Sequence, residues 1–130
     1  MLRRSRAVGA CFAVLACMTF AARALAVTTD LINWNLTETT STYGGGTQFH
    51  ISTGGSLVRF RWLDSPNKDT VLSANSCSDL SLLGSAASIG VGDTTYHSLF
   101  SGVSGQCFVM RGRVAAGEGS MVNHDGRVDR

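Results

Sequence analysis

Side chains that alternate between apolar and polar at every second residue constrain this chain more than any other feature of it. In residues 58–62, Val58, Phe60 and Trp62 alternate with Arg59 and Arg61. Successive side chains of a β-strand point to opposite faces of the sheet, so this pattern predicts a strand with one buried face. Beyond the N-terminal segment, no long run combines strong helix formers at spacings of three and four. An all-β fold is therefore expected.

Other stretches repeat the alternation between glycine-rich or proline-bearing breaks. In residues 32–36, Ile32, Trp34 and Leu36 are expected to face the core. Residues 94–100 and 107–114 flank a glycine-bearing loop and predict a hairpin-like pair. Asp125-Gly126 predicts a tight hairpin between the segments on either side of it. About seven or eight short strands predict a small single-domain antiparallel sandwich or barrel with one disulfide.

The N-terminus has the three parts of an export signal. Residues 1–6 carry three arginines, residues 7–22 carry no charge, and Ala24-Leu25-Ala26 forms a cleavage site of the small-x-small type. The uncharged stretch is shorter than the ~20 residues that a membrane span needs. We therefore expect residues 1–26 to be a cleaved signal peptide. Residues 27–130 then form one β-rich domain, secreted or periplasmic, whose mature chain begins at Val27.

An alternative processing site lies inside the same segment. Val14-Leu15-Ala16-Cys17 resembles a bacterial lipobox, in which the cysteine is lipidated and becomes the new N-terminus. A lipoprotein continues from that cysteine into a polar tether, whereas residues 18–22 stay apolar apart from one threonine. Cleavage after Ala26 is therefore the preferred prediction, and lipidation of Cys17 is its alternative.

Removal of the leader reverses the net charge. Four of the eleven basic residues and none of the nine acidic ones lie in residues 1–26, which leaves a net charge of −2 on residues 27–130. Proteins whose main partner is nucleic acid carry a basic surface. The composition thus argues against nucleic acid as a partner, and the export signal is the only membrane contact expected.

Cys77 and Cys107 are the two cysteines of residues 27–130. In an oxidising compartment, two cysteines without a third allow one intramolecular disulfide. A domain of this size is only marginally stable without such help. Closing a loop of about 30 residues adds roughly 3–4 kcal/mol on the chain-entropy model.

Two Arg-x-Arg pairs, Arg59/Arg61 and Arg111/Arg113, are candidate ligand-binding residues. Residues two apart on a strand point to the same face of the sheet. If the two strands were neighbours, four guanidinium groups would form one patch. Arginine forks suit sulfate, phosphate and carboxylate groups, so such a patch would mark an anionic ligand. The alternative interpretation is a solvated outer face whose arginines pair with nearby carboxylates.

Aromatic residues suggest a second kind of contact, stacking on sugar rings. Trp34 and Trp62 fit the inward phase of their strands and are expected in the core. Tyr43 precedes the glycines at 44–46, which places it on a loop. Tyr43 is therefore the aromatic residue proposed to contact a ligand.

Catalytic and metal-binding residues are not indicated. His50, His97 and His124 are too far apart for a zinc signature, and no G-x-S-x-G nucleophile elbow occurs. No metal, cofactor or catalytic residue is therefore predicted, and an enzyme is not expected.

The leading hypothesis is a secreted, non-catalytic binding module that recognises an extracellular polymer or protein, with an anionic ligand favoured by the arginines. The alternative is a secreted inhibitor of a protease or other hydrolase, which would present residues 101–106, braced at Cys107. A third hypothesis is a small secreted hydrolase that uses His97 or His124.

Overall fold

The computed structural model describes residues 27–52 and 57–130. The expected signal peptide (residues 1–26) and the alternative lipidation site at Cys17 lie outside the described residues. A turn of 3-10 helix covers Tyr43–Gly45. The strands found in the described residues are β1 (Thr28–Leu36), β2 (Ser41–Thr42), β3 (Gln48–His50), β4 (Leu57–Trp62), β5 (Thr70–Ser76), β6 (Leu82–Ile89), β7 (His97–Ser101), β8 (Cys107–Val114) and β9 (Met121–Asp129).

The strands form two antiparallel sheets. Sheet A has the order β1-β9-β4-β7, and sheet B has the order β2-β8-β5-β6, with β3 also paired to β8. The apolar residues of both sheets join in one buried cluster between them. The predicted all-β fold is thus confirmed, and of the two predicted architectures, sandwich or barrel, the structure is the sandwich.

The core follows the alternation of β4. Val58, Phe60 and Trp62 are fully buried, and Trp34 of β1 is buried beside them. The expectation that both tryptophans belong to the core is therefore confirmed. The Trp62 indole Nε1 donates a hydrogen bond of 3.1 Å to Thr70 Oγ1 in sheet B, so the polar atom of this buried ring has a partner.

The predicted disulfide between Cys77 and Cys107 is present. Cys77 directly follows β5, and Cys107 begins β8, which is the neighbour of β5 in sheet B. The bridge therefore joins two adjacent strands at one end. The segment between its cysteines contains β6 of sheet B and β7 of sheet A, so the cross-link closes a loop that passes through both sheets.

Both predicted hairpins are wrong. Asp125 and Gly126 lie inside the continuous strand β9, because β9 is a central strand that pairs with β1 on one side and with β4 on the other. A Cβ atom on Gly126 would lie 2.5 Å from atoms of the Phe60 ring, so this glycine permits close packing and does not form a turn. The predicted pair formed by residues 94–100 and 107–114 fails because β7 and β8 belong to different sheets.

Strand β1 also departs from its predicted phase. Leu31 is fully buried, whereas Ile32, which was expected in the core, is 60% exposed. The pairing with β9 shifts between Leu31 and Trp34 and shifts back before Leu36. Asn33, with a φ of 54°, is the extra residue that reverses the alternation, a β-bulge in the left-handed region that asparagine tolerates.

Candidate functional site

The four candidate arginines lie on two separate sheets. Arg59 and Arg61 project from β4 in sheet A, and Arg111 and Arg113 project from β8 in sheet B. In each strand the residues between the arginines face the core, so both pairs point outward. The single patch expected if the two strands were neighbours is therefore not formed, and each pair has its own surroundings.

The Arg59/Arg61 pair belongs to an internal network of sheet A. Arg59 Nη2 donates to Asp129 Oδ2 at 3.0 Å. The guanidinium carbons of Arg59 and Arg61 lie 4.7 and 5.0 Å from the centre of the Tyr96 ring, within the range of cation–π contacts. The Tyr96 hydroxyl in turn donates to Asp129 Oδ1 at 3.1 Å. These contacts engage the positive charge with groups of the protein itself, although Arg61 Nε has no hydrogen-bond partner among the described residues.

A second ion pair lies on the same outer face. Arg127 Nε and Nη2 donate to the two carboxylate oxygens of Asp30 at 2.6 and 3.0 Å. These hydrogen bonds lower the pKa of Asp30 and raise the pKa of Arg127. Two of the three arginines on this face of sheet A, Arg59 and Arg127, are therefore paired with aspartates, in line with the interpretation of a solvated outer face.

The Arg111/Arg113 pair has different neighbours. The five strands of sheet B contain no aspartate and no glutamate. Within the described residues, no carboxylate forms an ion pair with either arginine. Arg113 Nη1 donates only to the Val114 carbonyl oxygen, at 3.3 Å, and the buried Nε of Arg111 has no partner in the described part of the chain.

Hydroxyl residues flank Arg111, and a valine lies beside Arg113. Register pairs Arg111 with Thr42 on one side and Ser73 on the other, and it pairs Arg113 with Val71. Val71 is paired in turn with Ser88 of β6. Paired residues share a face of the sheet, so these side chains form one surface. We call it the Arg111 face; its members are Thr42, Val71, Ser73, Ser88, Arg111 and Arg113.

Tyr43 covers the free edge of β1. Its hydroxyl accepts a hydrogen bond of 2.9 Å from the Ile32 backbone N–H, and its ring packs edge-on against Trp34 at 5.4 Å. The hydroxyl thereby takes the place of a neighbouring strand at this position. Tyr43 also borders a groove of about 360 Å³, together with Asn33 and Asn35. Part of this side chain thus has a structural role that the sequence did not indicate.

Tyr43→Phe is expected to lower the free energy of unfolding by about 1 kcal/mol, because it removes the hydroxyl that bonds the Ile32 backbone. Urea unfolding of the two proteins measures the change. Retention on an anionic matrix serves as the control and should not change. Unaltered stability with lost retention would contradict the structural role and make Tyr43 a ligand contact.

Two of the three histidines, His97 and His124, lie beside aspartates. His97 Nε2 lies 2.9 Å from Asp93 Oδ2, and His124 Nδ1 lies 3.2 Å from Asp64 Oδ2. Hydrogen bonds from Thr95, with one from His97, lower the pKa of Asp93. In residues 27–52 and 57–130, no serine hydroxyl is hydrogen-bonded to a histidine. In the same ranges, no cluster of three or more histidine, cysteine or carboxylate side chains could hold a metal.

The loop after β7 is held at its base and exposed at its tip. Ile51 N donates to the Gln106 carbonyl at 3.0 Å, and Gly105 N donates to the Ile51 carbonyl at 2.8 Å. Val103, between these anchors and the end of β7, is 72% exposed. This is the segment proposed as an inhibitory loop, and its most exposed apolar side chain is that of Val103.

No known protein family, curated protein or solved structure matches this chain. Among the described residues, no helix has the length and apolar character needed to cross a membrane.

Sequence reasoning identified Arg111 and Arg113 but not the features that distinguish them from Arg59 and Arg61. The signal was present in the chain, because the segments that form sheet B lack acidic residues altogether. The lack of acidic residues indicates an uncompensated pair of arginines only when these segments are known to be neighbours in one sheet. The partners of Arg59, Asp129 and Tyr96, likewise come from distant parts of the chain.

Proposed function

We propose that this domain is a secreted, non-catalytic binding module that recognises an anionic extracellular polymer through the Arg111 face. The observation that carries the proposal is the pair Arg111/Arg113, two outward guanidinium groups on a sheet whose strands contain no carboxylate. The chain provides no ion-pair partner for either group within the described residues. An external anion would supply that partner.

The geometry suits a ligand with sulfate or carboxylate groups. Residues two apart on a strand are separated by about 6.6 Å along it, so the two guanidinium groups can engage successive anionic groups of one polymer. Arginine forks bind such groups through paired N–H donors. The Nη groups of Arg111 are the donors available to such a ligand, because the Arg111 Nε is buried. Thr42, beside Arg111, adds a hydroxyl group for a further hydrogen bond, whereas the Ser73 hydroxyl already donates to Asn75 Oδ1 at 2.7 Å.

The distribution of charge supports a local site on a protein that is slightly acidic after removal of its leader. Residues 27–130 carry a net charge of −2, yet the two arginines are the only lysine, arginine, aspartate or glutamate side chains on the strands of sheet B. Acidic groups elsewhere repel polyanions and restrict their attraction to this face. We therefore expect the polymer to contact one face of the domain, the Arg111 face, and not its whole surface.

The test compares two matched double variants on a sulfated polysaccharide matrix. R111Q/R113Q is expected to weaken binding at least tenfold, because two charge-assisted contacts are lost. R59Q/R61Q removes the same charge from sheet A and should leave binding within about twofold. It should cost roughly 1–3 kcal/mol of stability, because the buried Asp129 carboxylate loses its ion-pair partner. Isothermal titration and a series of salt concentrations measure both effects.

The opposite ranking of these variants would contradict the proposal. If R59Q/R61Q abolished binding and R111Q/R113Q did not, the ligand would lie on sheet A. If wild-type protein showed no retention even at low salt, where exposed charges are least screened, the Arg111 face would not be a polyanion site.

A secreted hydrolase inhibitor is the second candidate function. The observation in its favour is the loop at 102–106, which is anchored by two backbone hydrogen bonds to Ile51 and exposes Val103. Rigid presentation of a loop reduces the entropy lost on binding. Inhibition assays against a panel of extracellular proteases distinguish the two functions. If the domain is an inhibitor, substitution of Val103 should reduce the inhibition, whereas substitution of Arg111 should not.

A further inference from the structure

A cavity of about 340 Å³ lies at the end of sheet B, next to the Arg111 face. Val71 and Ser88 contribute to both the cavity and the face, and Val71 is the direct neighbour of Arg113 across the sheet. Asp69, which immediately precedes β5, also lines the cavity. A ligand that extends along sheet B beyond Arg113 therefore meets a carboxylate.

The Asp69 carboxylate keeps one oxygen for a ligand. Its Oδ1 accepts a hydrogen bond of 2.9 Å from the Val91 backbone N–H. Within the described residues, Oδ2 has no hydrogen-bond donor and Asp69 forms no ion pair. The backbone carbonyl of Asp69 accepts from Ala115 N at 2.8 Å, which fixes the position of this residue beside the end of β8.

Two cations followed by a carboxylate favour a particular order of groups in the ligand. A polymer ligand with a negative charge on every unit would place one of these charges against the Asp69 carboxylate. Like charges at short distance repel each other, so such a ligand is disfavoured. A polysaccharide in which uncharged sugars alternate with acidic ones presents hydroxyl groups there instead. Hydroxyl groups donate to a carboxylate and form strong charge-assisted hydrogen bonds.

We propose that the cavity at Asp69 is a subsite for an uncharged sugar unit, adjacent to the anion-binding pair Arg111/Arg113. This inference depends on the proposed function, and it names the ligand class as a polysaccharide with spaced anionic groups. Ser88 supplies a second polar group to the same cavity. Polyphosphate and nucleic acid, which carry a charge on every unit, are the ligands that Asp69 discriminates against.

The experiment measures the affinities of the full domain for two probes by isothermal titration. One is an oligosaccharide of kappa-carrageenan, in which sulfated and unsulfated sugars alternate, and the other is inorganic polyphosphate of equal total charge. Wild-type protein is expected to bind the oligosaccharide at least tenfold more tightly. D69N retains an oxygen for the Val91 N–H, and it should reduce this ratio at least fivefold, chiefly because polyphosphate binds more tightly.

Asp79 provides the matched control. It lies in the turn between β5 and β6, at the opposite end of sheet B from Asp69, and it is exposed. D79N makes the same change of net charge, and it should leave the ratio within about twofold of wild type if Asp69 acts locally.

The outcomes separate this inference from the function on which it depends. If wild-type protein binds neither probe, the proposed function fails and the subsite fails with it. If it binds both probes equally and D69N changes nothing, the Arg111 face remains a polyanion site but the sugar subsite is overturned. Equal effects of D69N and D79N would also overturn the subsite, because the selectivity would then follow net charge alone.

Discussion

Loss of the Cys77–Cys107 bridge is expected to lower the free energy of unfolding by about 3–4 kcal/mol, the entropy of closing a loop of this length in the unfolded chain. The cysteines are 30 residues apart, and their loop includes β6 and β7 from different sheets. A domain of this size changes its Tm by roughly 4–8 °C per kcal/mol, so a fall of roughly 12–32 °C is expected.

Two samples should show the same loss. The double variant C77S/C107S removes the bridge genetically, and reduction of the wild-type protein removes it chemically without changing the packing of other side chains. Urea unfolding of oxidised, reduced and variant protein gives the three free energies. An unchanged midpoint after complete reduction would contradict the entropic role of the bridge. A much larger loss in the variant than in the reduced protein would indicate that serine packs poorly at these sites.

Local patterns in the sequence predicted the strands whose geometry is regular. In β4 the alternation gives the correct buried face, because residues 57–62 pair with β7 and β9 and bury Phe60 and Trp62. The disulfide followed from a count of two cysteines and required no knowledge of the fold. In both cases the property depends on neighbouring residues or on composition, which a single sequence contains directly.

These local patterns do not determine which strands pair with one another in the sheets. Asp125-Gly126 has strong local preference for a hairpin turn, yet β9 continues through it because hydrogen bonds to two neighbouring strands outweigh that preference. The same limit applies to the arginines. Period two shows that Arg59 and Arg61 share a face, but it does not show that Asp129 lies across from Arg59.

Bulges set a further limit on prediction. One inserted residue in β1, Asn33, moves Leu31 into the core and Ile32 out of it. Side chains then satisfy the displaced backbone: Asp125 Oδ1 accepts from Asn33 N at 2.8 Å. The partner that stabilises the bulge lies in β9, 92 residues away along the chain. A local pattern cannot contain such a contact.

Gly84→Ala is expected to lower the free energy of unfolding by about 3 kcal/mol, through backbone strain and overpacking together. Gly84 lies in β6 of sheet B, where its φ of +67° is unfavourable for any residue with a Cβ atom. An added Cβ would meet the Leu99 carbonyl oxygen and would lie 2.6 Å from the Phe100 Cβ, both in β7 of sheet A. The edges of the two sheets touch here.

Gly45→Ala separates the two contributions, because Gly45 has the same φ of +67° but a Cβ atom added there would have no neighbouring atom within 4 Å. This variant carries only the backbone strain, which costs about 1 kcal/mol. The difference between the two variants, about 2 kcal/mol in urea unfolding, measures the close approach of β6 to β7. Equal losses in both variants would show that the sheets are not in tight contact at Gly84. The expected result is a larger loss of stability in Gly84→Ala than in Gly45→Ala. Circular dichroism should show that both variants keep the β-sheet content of the wild-type protein.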